Sequence, residues 1–125
     1  MAQKQIIPPY KTITAGDMSK PTLTSGVTNI SGVDNIAIQL VWTGSPTGSF
    51  DVQVSLDYRP NPVGGTPLNA GTWASLTLDK TVAAAGSASN DMVFLYAIPA
   101  PYLRTVYTAT SGTGSLTVMV SGRAV

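Results

Sequence analysis

Aspartate is the only side chain here that could serve as a general acid, a general base or a hard metal ligand. The chain has six Asp, no Glu, no His and no Cys. Without imidazole there is no Ser-His-Asp relay and no histidine ligand for a metal. Without thiols there is no disulfide framework, no thiol nucleophile and no thiolate site. A glycosidase needs two opposed carboxylates. Asp51 and Asp57 fall on the same outward face of one predicted strand, but six residues of extended chain hold them about 20 Å apart. Asp17, Asp34, Asp79 and Asp91 sit at predicted turns or strand ends, where Asp ordinarily bonds nearby backbone. No D-x-D-x-D-G calcium run, no P-loop and no G-x-G-x-x-G fingerprint occurs. The expectation is therefore not an enzyme, with no cofactor and no metal.

Binding chemistry is also narrow. Seven Lys and Arg face six Asp, for a net charge of +1, and only 10% of residues are charged. That balance gives no electrostatic reason to bind nucleic acid or an anionic membrane. Arg104 stands in a run with Tyr102 and Tyr107, but a stacking groove for single strands needs more of both residue types. Strand packing with a snorkelling Arg is the expectation there. Tyr58 and Trp73, on either side of a long loop, could form an exposed platform for a glycan, or could pack that loop.

The elements that would carry these residues read as β structure. Sixteen Thr, twelve Ser and twelve Gly are present; branched residues suit a pleated surface, and Gly, Pro, Ser and Asp suit the turns between strands. Apolar side chains alternate at residues 34–43 (Ile36, Ile38, Leu40, Trp42), 48–57 (Phe50, Val52, Val54, Leu56) and 115–122 (Leu116, Val118, Val120). Weaker stretches at 23–29, 72–79, 91–97 and 102–108 bring the total to seven strands, or eight if the N-terminus adds one. Residues 82–85 are too short for a helix and read as loop. The fold class expected is all-β, an antiparallel sandwich with the jelly roll as one form of it. Alternation alone does not distinguish the strand orders.

Two segments stand apart. Residues 1–20 carry Ile6, Ile7, Pro8, Pro9 and Tyr10, an apolar pair followed by two prolines, which favours an extended path short of backbone donors. This segment is either an edge strand or an arm lying on a neighbouring subunit, with the sandwich domain at 21–125. As an arm, its first sixteen residues should be removable without unfolding the sandwich. The segment also lacks the apolar core of a signal peptide, and no apolar run nears the ~20 residues that span a bilayer. The second segment, residues 59–71, holds three Pro and three Gly and begins Arg59, Pro60, Asn61, Pro62, Val63. It is either a contact loop of an assembly or a mobile excursion. An internal echo links the halves of the chain. Residues 47–55 (TGSFDVQVS) match 113–121 (TGSLTVMVS) at six of nine positions, which reads as a pair of similar hairpins.

The run Trp42-Thr43-Gly44, Gly48-x-Phe50-x-Val52-Gln53-Val54-Ser55, Trp73, Ala83-Ala84-Ala85-Gly86 and Ala100-Pro101-Tyr102-Leu103-Arg104-x-x-Tyr107-Thr108-x-x-Ser111-Gly112-Thr113-Gly114-x-Leu116 resembles small virion proteins of tailed bacteriophages. The resemblance covers residues 36–122. It implies a β-sandwich virion component, foremost a capsid decoration protein that bridges capsid subunits and reinforces the shell. It further implies the major capsid protein and other virion subunits as partners, a homo-oligomer with a trimer favoured, a place on the capsid surface and assembly in the host cytoplasm. A tail, fibre or adaptor part, with a glycan bound at Tyr58 and Trp73, is the alternative. Residues 1–20 and 59–71 depart from the family pattern and are the expected places for this protein's own contacts.

Overall fold

The structure, a computed structural model, describes residues 5–78 and 80–124. Asp79, named above among the turn aspartates, lies outside the described residues, as does the start of the N-terminal segment. The described chain holds ten strands and no helix: β1 (Ile6–Asp17), β2 (Thr22–Thr24), β3 (Thr28–Asn29), β4 (Asn35–Gly44), β5 (Thr47–Ser55), β6 (Ala74–Ser75), β7 (Ala83–Ala85), β8 (Ser89–Tyr96), β9 (Tyr102–Ser111) and β10 (Gly114–Arg123). One sheet has the order β1-β10-β4-β8. The other runs β2-β9-β5-β6, with β3 also on β9 and β7 also on β5.

Every pairing is antiparallel, and the pairs nest: β1 takes β10, β2 and β3 take β9, β4 takes β8, β5 takes β6 and β7. A chain doubled back on itself and then rolled gives this pattern, closed by β10 on β4 and β9 on β5. With β2/β3 and β6/β7 each counted as one interrupted strand, the fold is an eight-stranded jelly roll. The inward residues are those the alternation marked. Ile36, Ile38, Leu40 and Trp42 face Phe50 and Val52, together with Leu116, Val118 and Val120. Trp42, Phe50 and Tyr107 form a row through the core, with ring centroids 5.1 and 4.9 Å apart.

The echoed segments are not hairpins. β4 lies in one sheet and β5 in the other, and likewise β9 and β10, so each echo leaves an arch that crosses the sandwich. The arches stack, because β4 pairs with β10 while β5 pairs with β9. Where they meet, the Ser45 amide donates to the Thr113 carbonyl at 2.9 Å. Gly44 and Gly112 turn there at φ of 82° and 83°, and a Cβ on Gly112 would stand 2.2 Å from the Ser45 oxygen. A side chain would both strain that backbone and force the arches apart. The sequence carries the repeat, and the two copies lie in different sheets, β5 in one and β10 in the other.

Three other expectations change. Residues 83–85 are a strand, β7, because their backbone groups pair with Thr47, Gly48 and Ser49. Of the stretch 72–79, the described residues 72–78 keep only Ala74–Ser75 as strand, and 23–29 splits into β2 and β3 around the buried Ser25, whose amide donates to the Thr105 carbonyl. The N-terminal segment is an edge strand: β1 pairs with β10 from Ile6 to Asp17. Its register shifts three times, once at Pro8-Pro9, which blunts the edge against further pairing.

Two buried hydroxyls in the core have no partner among the described residues, those of Thr105 and Tyr107. Burial also pushes the Tyr107 phenol above its usual range. An unmet buried donor costs stability, so Tyr107→Phe should stabilise the fold by about 1 kcal/mol, roughly 4 °C in thermal midpoint. A fall in midpoint by calorimetry would mean that the hydroxyl is solvated in the folded protein.

Candidate functional site

Residues 59–71 project from one end of the β5 sheet as an ordered loop. Arg59 and Asn69 exchange backbone hydrogen bonds of 3.0 and 3.2 Å across its neck. At the tip, the Asn61 carboxamide oxygen accepts from the Val63 amide (3.1 Å), its nitrogen donates to the Thr66 carbonyl (3.2 Å), and its backbone oxygen accepts from Gly64 (2.9 Å). Asn61 therefore supplies the internal bonds that a loop this long otherwise lacks. Gly64 and Gly65, at φ of 85° and 84°, complete the turn.

Asp57 anchors the base. Its carboxylate accepts from the Ser55 hydroxyl (2.9 Å), the Thr72 amide (2.7 Å) and the Thr72 hydroxyl (3.0 Å). These bonds, the Thr72 amide foremost, hold the carboxyl below the ordinary value of 3.8. A lowered pKa contributes stability that is present above the unfolded value and lost as pH falls through the folded one. The neck should therefore hold at neutral pH and loosen only below about 3.8. The amide resonance of Thr72, followed by NMR, should titrate with Asp57 in that acid range. Its failure to move, or an unchanged shift in Asp57→Asn, would break the assignment.

The loop thereby holds apolar side chains outward. Val63 is 91% exposed, and Leu56 and Leu68 are also exposed. Beside them, Tyr58 and Tyr102 meet edge to face at 5.0 Å, Tyr58 and Trp73 lie 5.7 Å apart, and the Arg104 guanidinium sits 4.3 Å from the centre of the Trp73 ring. Gln53 fixes that guanidinium by accepting from Nε at 2.8 Å, and the Trp73 indole donates to the Ala70 carbonyl at 2.9 Å. The structure thus brings Tyr58 and Trp73 together, as a platform would require, but Arg104 lies over the indole ring. Their visible work is to seat the loop on the sheet.

The candidate contact residues Arg59, Pro60, Asn61, Pro62 and Val63 all lie on the projection, with Asn61 as its staple. Leu56, Leu68, Tyr102 and Arg104 belong to the same end of the molecule and were not singled out as contacts. Leu56 alternates with inward residues in sequence yet lies just past the end of β5, and Arg104 reaches Trp73 only through the pairing of β9 with β5.

The N-terminal candidates lie elsewhere. Ile7 packs against the core, the Tyr10 hydroxyl bonds that of Thr28, and Pro8 and Pro9 form the irregular edge. Ile6 is 68% exposed and Tyr10 40%.

No family model matches the chain, and no curated protein matches it. Solved structures do match. One, titled as the structure of infectious bursal disease virus Gx strain, aligns over 98% of this chain with a TM-score of 0.52 and 11% identity. The match takes in 32% of that chain, so this protein spans about a third of its neighbour's length. At that identity the likeness is one of fold.

Proposed function

We propose that the protein is a structural component of a virion, and within that class a decoration protein that binds the capsid surface and bridges its subunits. The observation that carries this reading is the loop at 59–71. It is stapled by Asn61 and anchored by Asp57, yet holds Val63 almost wholly in solvent. A rigid apolar projection loses little entropy on docking, and its burial supplies affinity without charge. The jelly-roll likeness to a chain from a virus structure supports the class, as a fold-level analogy.

The test has two parts. Mass spectrometry of purified virions should give hundreds of copies per particle. A handful to a dozen would instead favour the tail, fibre or adaptor reading, and absence would overturn a virion role. Val63→Ser with Leu68→Ser should lower particle occupancy at least tenfold without changing the unfolding midpoint, because both side chains are exposed. Equal occupancy would move the docking surface away from this loop. The glycan alternative predicts binding on an array that is lost in Trp73→Ala; its weakness is the ring already covered by Arg104.

A further inference from the structure

The outer face of the β1-β10-β4-β8 sheet carries the molecule's two most exposed aromatic side chains, Phe94 at 57% and Tyr96 at 65%. Register places them in rows. Phe94 stands beside Ala37, and Ala37 beside Ser121; Tyr96 stands beside Asn35, and Asn35 beside Arg123; Met92 stands beside Gln39, and Gln39 beside Met119. Each of these rows crosses β8, β4 and β10 in that order. Ala37 and Ser121 are small, so a recess opens at the centre, walled by Phe94 and Tyr96 on one side and reaching Arg123. The face therefore bears an aromatic knob on β8 and a hole between β4 and β10.

The geometry points to a second copy of this chain as the occupant, seated face to face about a two-fold axis that runs along β4. That operation lays β8 of each copy over β10 of the other. Phe94 then enters the other copy's hole at Ala37 and Ser121, and the Tyr96 ring meets the other copy's Arg123 as a cation–π pair. Met92 covers Met119. On the axis, Ala37 faces its own copy, and its small side chain permits the close approach that aligned sheets need. The charges agree with this arrangement. On the outward rows of the three-strand overlap Arg123 is the one charged residue; Asp91 of β8 stands in register with the inward Leu40 and is paired with Lys80, and Lys11, on β1, stays at the rim. The two Arg123 side chains are held on opposite sides of the axis, roughly 10 Å apart. A knob and its hole on one surface, related by a two-fold, is what an isologous interface requires.

The overlap is three strands wide and about seven residues long, on the order of 300 Å² a side. Stable dimers bury about 800 Å² a side, so this one is weak, with a dissociation constant between about 10 μM and 1 mM. It forms where copies are concentrated, as on a particle. The assembly is two-fold, unlike the trimer that the phage resemblance favours, and it uses a different surface from the loop proposed for docking.

Sedimentation of the full chain from about 10 μM to 1 mM should show reversible dimers. Phe94→Ser should raise the dissociation constant at least tenfold with no change in unfolding midpoint. Ser121→Trp, which fills the hole, should raise it as much, but it also gives up the Ser121 hydroxyl's bond to the Ile7 carbonyl and lowers the midpoint. Tyr96→Phe should dimerise as the native chain does, and Tyr96→Ala should not. Val63→Ser should leave dimerisation intact, which separates this face from the loop. A chain that stays monomeric throughout, or that dimerises equally well as Phe94→Ser, would overturn the proposal and leave the face to a different polypeptide.

Discussion

Deletion of residues 1–16 will destroy the fold rather than release a dispensable arm. The deleted segment is nearly the whole of β1, the twelve-residue strand that covers the edge of β10. Ile7 and Ile13 leave the core margin with it. Full burial of one such side chain contributes about 1.5–3 kcal/mol, so two partly buried ones contribute about 3 kcal/mol before any loss from the ladder. Domains are stable by only about 5–15 kcal/mol. The newly exposed edge compounds the loss. β10 runs ten residues with no register shift against β4, and Leu116, Val118 and Val120 lie on its inner face. A long, flat, apolar edge of that kind recruits other chains. The expected result is insoluble protein, or a chain without a cooperative denaturant transition in the fluorescence of Trp42, which is buried in the native core. A soluble truncation with the native midpoint would show that β1 is an accessory strand. Any contribution of the N-terminus to attachment is better tested by Ile6→Ser, whose side chain is largely outside the core.

How far the sequence could be read follows from which forces act locally. Alternation marked the buried faces at 34–43 and 115–122, and at 48–57 as far as Val54, since each inward side chain is chosen for its own burial; Leu56, which the alternation also puts inward, lies past the end of β5 and is exposed. The turn-rich loop at 59–71 was equally plain, because Pro and Gly act on their own backbone. Its rigidity was not, because that rests on Asn61 reaching Thr66 and Asp57 reaching Thr72, fifteen residues away. β7 was missed for a similar reason. Three alanines have no strand propensity to declare, and they pair only because β5 offers a free edge there. The candidate aromatics Tyr58 and Trp73 were legible as a pair. The Arg104 that covers one of them was not, since it depends on the register of β9 against β5.

The echo had the same limit, and its most conspicuous glycine gives the second large effect. Gly48→Ala should destabilise the protein by about 3 kcal/mol or more, although one methyl group is a small addition. Gly48 is not a positive-φ residue, so conformational freedom is not what the position needs. It needs space. A Cβ there would stand 2.4 Å from the Thr108 carbonyl oxygen and 2.5 Å from the Tyr107 hydroxyl. The first obstacle is backbone of the neighbouring strand, held by the β5–β9 ladder; the second is the far end of a ring that is wholly buried against Phe50. Overpacking of a filled core costs about 1–3 kcal/mol, and here the ladder must also move. The corresponding glycine of the other copy, Gly114, faces the Thr43 carbonyl at 2.2 Å and should be as intolerant. Gly64, with nothing within 4 Å of an added Cβ, is the control for the cost of positive φ alone and should lose only about 1 kcal/mol as Ala. Chemical denaturation of the three variants decides the point. If Gly48→Ala and Gly114→Ala lose no more than Gly64→Ala, the tight packing of the arches is not what the echoed glycines provide. If Tyr107→Phe stabilises the Gly48→Ala variant by more than it stabilises the native chain, the hydroxyl is the yielding half of the clash and the Thr108 carbonyl the fixed one.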